Sequence, residues 1–355
     1  MSQNIMVSQP SELTLVWAQG IVNQHDANTV VTKVEVVSVD VGTTTRIRLA
    51  IDYKGFSALP RRWFVKLPSL AWRAWFITAL PQLLATEIRF YQELAKSVPI
   101  ALPVCLAAQS RWGVGGILVL ADLEENGALP GKAHDSLTIG QAALVIDGLA
   151  RFHARFWQNE STAHYRWLAG RVRQVEDHLG AVLAVPLMKQ GLRRAGAWVP
   201  KNLHKRGLHY AKNRRRAMRF LSARPQTLVH HDCHPGNLFW QHNHAGFLDW
   251  QLVRLGEGAS DVAYFLATAL TPEQRRLHET TLLERYVAQL ASYGVTGMDG
   301  PQLTERYRAH LVYAFEAMVV TLAVGDMMAT ESNLELIRRT AAAVDDWDAF
   351  AALPI

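Results

Sequence analysis

The sequence predicts an α+β protein of two lobes, a small strand-rich one followed by a larger, mainly helical one. Three observations carry this. At 355 residues the chain exceeds what one small core organises. Segments of β-branched, period-2 character crowd into its first third. After the polar, Gly/Pro-containing stretch EENGALPGKAHD (124–135), apolar residues recur mostly at helical spacing. The boundary is placed just before that stretch, giving lobes 1–121 and 122–355.

Taken in order, TVVTKVEVVSVD (29–40) is β-branched and partly alternating. RIRLAIDY (46–53) sets Ile47, Leu49, Ile51 and Tyr53 on one face and Arg46, Arg48 and Asp52 on the other, the period of a half-buried strand. Lys54-Gly55 turns the chain, and RRWFVKLP (61–68) is a third strand ended by Pro68. An apolar connection leads to ATEIRFYQELAKS (85–97), a helix with Ile88, Tyr91 and Leu94 in step. VCLAAQS (104–110), the turn RWG and GGILVLADL (115–123) form a strand pair. Beyond the linker, TIGQAALVIDGLARFHARFW (138–157) is a helix opened by a Thr138-to-Gln141 capping box. NLFW (237–240), the polar turn QHNHA and GFLDW (246–250) interrupt the helical remainder as a short hairpin.

Composition excludes several classes. With 49% hydrophobic and 19% charged residues the chain is neither disordered nor fibrous. Two cysteines, Cys105 and Cys233, build no disulfide framework and suit a reducing compartment, so a cytoplasmic location is expected. The start MSQNIMVSQPSELTL lacks the pattern of a secretory signal. LVYAFEAMVVTLAVGDMMA (311–329) contains Glu316 and Asp326 and reads as a buried helix, not a membrane span. Thirty-seven Lys and Arg against 31 Asp and Glu give a formal charge of +6, a sign suited to an anionic small molecule. The basic run KNLHKRGLHYAKNRRRAMR (201–219) contains one aromatic, Tyr210, and reads as a solvated helical face. Neither a nucleic-acid nor a membrane partner is expected, and the oligomeric state is unreadable.

The chemistry concentrates in TLVHHDCHPGNLFW (227–240). A metal cage built on His230 and His234 at i and i+4 is disfavoured, because Pro235-Gly236 breaks a helix there. A hydrolase using the His231-Asp232 pair would want that pair on a helix, whereas here it follows a strand. The spacing His230-x-Asp232-x-x-x-x-Asn237 instead matches a kinase catalytic loop, with an aspartate to accept the hydroxyl proton and an asparagine to hold Mg²⁺. Asp249 follows 12 residues after Asn237, at the end of the second hairpin strand, where a second metal carboxylate belongs. Lys66 in the third strand and Glu87 in the next helix match the lysine that grips the α/β-phosphates and its ion-pair partner. Gly42, Thr43 and Thr44 join the first two strands and are candidates to cover the phosphates.

These residues resemble the aminoglycoside phosphotransferase and choline kinase-like superfamily, most closely its ecdysteroid-kinase-like branch. The resemblance is carried by VKLP (65–68), EIRFYQEL (87–94), LVLADL (118–123), LARFHARFW (149–157), LVHHDCHPGNLFW (228–240) and FLDWQLVRLGEGASDVAYFL (247–266). It implies a bilobal protein-kinase-like fold whose N-lobe has one regulatory-type helix, and an ATP- and Mg²⁺-dependent transfer of the γ-phosphate to a hydroxyl. Asp232 would be the catalytic base, Asn237 and Asp249 the metal ligands, Lys66 the phosphate clamp and Glu87 its positioner. The segment from Leu120 to Asp122 would meet adenine through its backbone. The family usually carries glycine before the catalytic aspartate, and this chain carries His231. No Ala-Pro-Glu segment follows Asp249, so a small-molecule acceptor is expected. The aromatics Trp167, Trp198, Tyr264 and Tyr313 are available to it without identifying it. A nucleotide-binding pseudokinase and a metal-dependent phosphohydrolase are the rival readings.

Overall fold

The computed structural model describes residues 4–355 except 43, 55–56, 70–82, 112–114, 160–161, 163–164, 169–170, 224–225 and 326. Thr43, Gly55, most of the apolar connection after the third strand, two residues of the RWG turn and Asp326 therefore lie outside the described residues. The chain forms two compact units. The first is Met1–Ser97 with Leu102–Pro130, the second Val98–Ala101 with Gly131–Ile355. Residues 122–130, placed in the second lobe on sequence, cluster with the first unit. The Glu125 carboxylate ties them there by accepting the Arg61 and Arg62 N–H groups at 2.7 and 2.8 Å.

The first unit is an antiparallel sheet of β1 (Val30–Val41), β2 (Thr44–Lys54), β3 (Arg62–Pro68), β4 (Cys105–Arg111) and β5 (Gly115–Ala121), in the order β1-β2-β3-β5-β4. The alternation read in β2 is realised, with Ile47, Leu49, Ile51 and Tyr53 all buried. They pack with Val65 and Val119 against Trp17 and Ile21 of α1 (Leu15–Val22). That helix was not anticipated: LVWAQGIV is rich in β-branched residues, and packing of its apolar side overrides their weak helix propensity. Thr14 caps it by accepting from Trp17 N–H at 3.3 Å. The expected helix over 85–97 begins as α2 (Leu83–Arg89), widens to a π turn at Phe90–Leu94 and tightens over Ala95–Ser97.

The second unit is built mainly from α3 (Ile139–Phe156), α4 (Arg171–Ala195), α5 (Lys201–Lys212), α6 (Arg214–Leu221), α7 (Gly258–Ala269), α8 (Pro272–Ser292), α9 (Gly300–Val324) and α10 (Thr330–Asp346). Thr138 and Gln141 form the capping box that opens α3. α9 is long and apolar enough to cross a membrane, yet two thirds of its most apolar window is packed inside this unit. Its Glu316 is buried because Arg214 Nε and the Tyr210 hydroxyl donate to it at 2.6 and 2.7 Å. Between α6 and α7 lie β6 (Thr227–Val229), the hairpin of β7 (Leu238–Gln241) and β8 (His244–Phe247), and β9 (Arg254–Gly256), which pairs with β6. His242 and Asn243 close the hairpin with φ of 45° and 61°, the left-handed pair a two-residue turn requires.

Candidate active site

β6 delivers the chain into a loop whose backbone is held by one buried carboxylate. Asp261, in the first turn of α7, accepts the N–H of His230 and of His231, each at 2.7 Å. His153 of α3 steadies it through Nε2 at 3.2 Å, and the other ring nitrogen of His153 meets the Tyr286 hydroxyl at 2.7 Å. His230 braces the loop. Its Nε2 lies 2.7 Å from the Leu248 carbonyl and its Nδ1 accepts the Asp232 N–H at 3.2 Å, so the Nε2–H tautomer satisfies both contacts. Its ring also stands edge-on to Trp250, with centroids 4.6 Å apart. Cys233 is fully buried with Sγ bonded to the Asp261 carbonyl, and burial pushes its thiol well above the ordinary range. Such a thiol stays protonated and is no nucleophile.

Asp232 projects from this braced loop. Tyr264, one helical turn after Asp261, donates its hydroxyl to Oδ1 at 2.6 Å. Asn237 donates its amide to Oδ2 at 3.0 Å and to the Asp232 carbonyl at 2.9 Å. Burial raises the Asp232 pKa, and the nearby Asp249 charge adds to that, while His234 and the two hydrogen bonds oppose it. His234 Nε2 lies 3.9 Å from Oδ1, its Nδ1 accepts the Gly236 N–H, and burial lowers its pKa. Asp249 ends the hairpin in the left-handed region at φ 60°. The Leu248 N–H donates to the Asn237 carbonyl at 2.8 Å, which brings Asn237 and Asp249 to one end of the hairpin.

The donor chemistry here fits a hard divalent cation. Because the Asn237 amide nitrogen is directed to Asp232, its oxygen is the end turned elsewhere, and Asp249 adds carboxylate oxygens. The Asp249 charge makes Asp232 costlier to ionise, and a cation beside it would relieve that cost. Mg²⁺ requires few protein ligands and keeps several waters. Among the described residues no three His, Cys, Asp or Glu side chains are grouped as a metal cage.

In the first unit, Lys66 of β3 and Glu87 of α2 form a buried ion pair, Nζ lying 2.8 Å from each carboxylate oxygen. Gly42 sits in the β1–β2 turn, its N–H donated to the Thr44 carbonyl at 3.0 Å and its carbonyl accepting from Ser69 at 2.6 Å. Thr44 is buried at the start of β2. Leu120 is buried in β5, and the Asp122 N–H donates to the Arg62 carbonyl at 2.9 Å. The Asp122 side chain caps the following turn and lies 3.5 Å from Arg48. Two contributors went unassigned on sequence. Tyr264 was only one of several available aromatics, and His153 lies, with no role of its own, within the helix read over 138–157. The three-residue spacing of Asp261 and Tyr264, which sets both on one face of α7, was the signal for the first.

A GDP complex of an aminoglycoside 2′-phosphotransferase-IIIa matches at TM-score 0.51 and 13% identity, covering 93% of this chain and 99% of that one. A Plasmodium vivax ethanolamine kinase matches at 0.50 and 11%, covering 94% and 89%. A Cryptosporidium parvum choline kinase matches at 0.50 and 12%, covering 91% of each chain. At such identities these show the fold, which is kinase-like α+β. No curated protein matches the sequence. The model of the phosphotransferase enzyme family matches residues 54–305, which include Lys66, Glu87, Asp232, Asn237 and Asp249, and the chain belongs to that family.

Proposed function

We propose that the protein transfers the γ-phosphate of ATP to a hydroxyl group of a small molecule, with Mg²⁺ as cofactor. The observation that carries this is the hold on Asp232, a half-buried carboxylate aimed by Tyr264 and Asn237 within a loop that also presents Asp249. Asp232 would orient the acceptor hydroxyl and take its proton late, since phosphoryl transfer has a loose transition state. Asn237 and Asp249 would hold Mg²⁺, which when bound neutralises charge on the β- and γ-phosphates. In the first unit, Glu87 would keep the Lys66 ammonium oriented toward the α/β-phosphates. The GDP complex of the matched aminoglycoside phosphotransferase supports a nucleotide ligand. The engaged side chains of Asp232 and Asn237 favour an active enzyme over a pseudokinase.

Calorimetric titration with ATP, with and without Mg²⁺, tests the reading. Binding is expected to need the metal and to weaken about tenfold or more in Asp249→Asn. Asp232→Asn is expected to abolish turnover and leave Mg-ATP affinity nearly intact. Equal binding with and without Mg²⁺, or an Asp232→Asn variant that loses affinity along with turnover, would remove these assignments.

A further inference from the structure

Residues 131–135 run directly against the turn that carries Asn237. The Gly131 N–H donates to the Leu238 carbonyl at 2.9 Å. A β-carbon at Gly131 would stand 2.3 Å from the Pro235 carbonyl oxygen, and one at Gly236 would stand 3.0 Å from the Ala133 nitrogen. Gly131 lies outside the left-handed region, so lack of space, and not backbone conformation, demands glycine there. Two backbones therefore meet with no side chain between them, residues 131–133 on one side and the turn Pro235–Asn237 on the other.

The same segment is tied to α10. The buried Arg339 gives one terminal nitrogen to the Asp135 and Thr268 carbonyls and the other to the His134 carbonyl, each at 2.8 Å. The Ser332 hydroxyl lies 2.8 Å from His134 Nδ1. The Lys132 N–H donates to the Asp135 carboxylate at 2.7 Å, and the Asp135 N–H donates back to the Lys132 carbonyl at 3.0 Å, closing 132–135 into a tight turn. Thr268 donates its hydroxyl to the Tyr264 carbonyl at 2.7 Å. One guanidinium thus reaches both supports of the site. Through Thr268 it meets the helix that carries Tyr264, and through residues 131–135 it meets the turn that carries Asn237.

We propose that residues 131–135, anchored by Arg339, are a strap that positions Asn237 for the metal, with Gly131 and Arg339 as positioning residues that act through the turn 235–237. This rests on the phosphotransferase reading and adds to it the part that fixes a metal ligand. Mg²⁺ demands near-ideal octahedral geometry, so a displaced ligand oxygen is felt at once. Groups that orient a metal ligand without touching the metal typically contribute about 10- to 100-fold to its affinity.

Calorimetry with Mg-ATP on the full-length protein separates positioning from folding, because a folding defect lowers the number of sites filled and leaves their Kd unchanged. Gly131→Ala pushes a methyl group against the Pro235 carbonyl. Arg339→Lys keeps the charge but lacks the planar fork that spans three carbonyls. Each is expected to raise the Kd for Mg-ATP about tenfold with stoichiometry retained. The control is Val319→Ala, which removes a buried side chain packed at Gly191, in α9 and away from the strap. It is expected to lower the unfolding temperature and leave the Kd within about twofold. A Kd within about twofold of the unaltered protein in both Gly131→Ala and Arg339→Lys would overturn the proposal. So would a Kd raised as much by Val319→Ala. Should Gly131→Ala not fold, Arg339→Lys alone decides. Unaltered protein that binds no Mg-ATP would instead count against the phosphotransferase reading itself.

Discussion

At the scale of single residues, the site depends on donors aimed at one carboxylate. The Tyr264 hydroxyl and the Asn237 amide each hold one oxygen of Asp232, so its orientation is set before any acceptor arrives. A hydrogen bond to a charged group contributes roughly 1.5–3 kcal/mol. Tyr264→Phe removes one such bond while conserving ring and packing. It is expected to lower kcat about tenfold or more, with the KM for nucleotide unchanged. Steady-state kinetics with varied ATP would show this, and an unaltered kcat would reduce Tyr264 to a packing role. His231 illustrates the opposite economy. Its left-handed backbone costs about 1–3 kcal/mol, offset in part by the Tyr313 stack and by the bond from its N–H to Asp261.

Elements are locked to one another by buried ions that reach backbone carbonyls. Arg339 of α10 donates to the carbonyls of His134, Asp135 and Thr268, each at 2.8 Å, joining the helix to the segment before α3 and to the end of α7. Glu335, one turn earlier, holds that guanidinium in place at 2.7 Å. The hydrogen bond from Arg338, followed by Arg339, pulls the Glu335 carboxyl down to about 2 from an ordinary 4.5. A carboxylate whose folded pKa is depressed stabilises fully above its unfolded value and loses that contribution as pH falls from 4.5 toward 2. With a quarter of the side chain exposed, about 1 kcal/mol is reasonable after solvent screening. Glu335→Gln is therefore expected to lose about that much at pH 7 and to show less further loss across the acid range. Denaturant melts at several pH values would measure it, and parallel curves for the two proteins would refute it. Asp261 acts at the same scale, since one carboxylate unites α3, α7 and the loop after β6.

For the molecule as a whole, ligand binding should appear as stability. A ligand that binds only the folded state at about 100 times its Kd adds about 2.7 kcal/mol. Saturating Mg-ATP is expected to raise the unfolding temperature by a few degrees, and a chelator added with ATP to abolish the shift. A shift that survives chelation would dissociate nucleotide binding from the metal. The Lys66–Glu87 pair is buried in the first unit, so removing either partner leaves an uncompensated charge costing about 3–5 kcal/mol.

The sequence by itself determined the strand-rich and helical portions, the period of β2, the capping box of α3 and the hairpin after Asn237, because each follows from local spacing and turn chemistry. It also offered the candidate site residues Lys66, Glu87, Asp232, Asn237 and Asp249 in order, since that pattern is itself linear. Helix α1 was not legible, because its residues favour strands locally and only contact with the sheet makes them helical. The attachment of residues 122–130 to the first unit was hidden too, since it depends on Glu125 reaching two N–H groups more than sixty residues away. The tertiary structure alone decided that Tyr264 grips Asp232, which N–H groups of the loop Asp261 takes and that His153 steadies it, and that Tyr313 receives the His231 ring. Those contacts join residues 30 to more than 100 positions apart, where no short-range pattern can register which side chains meet.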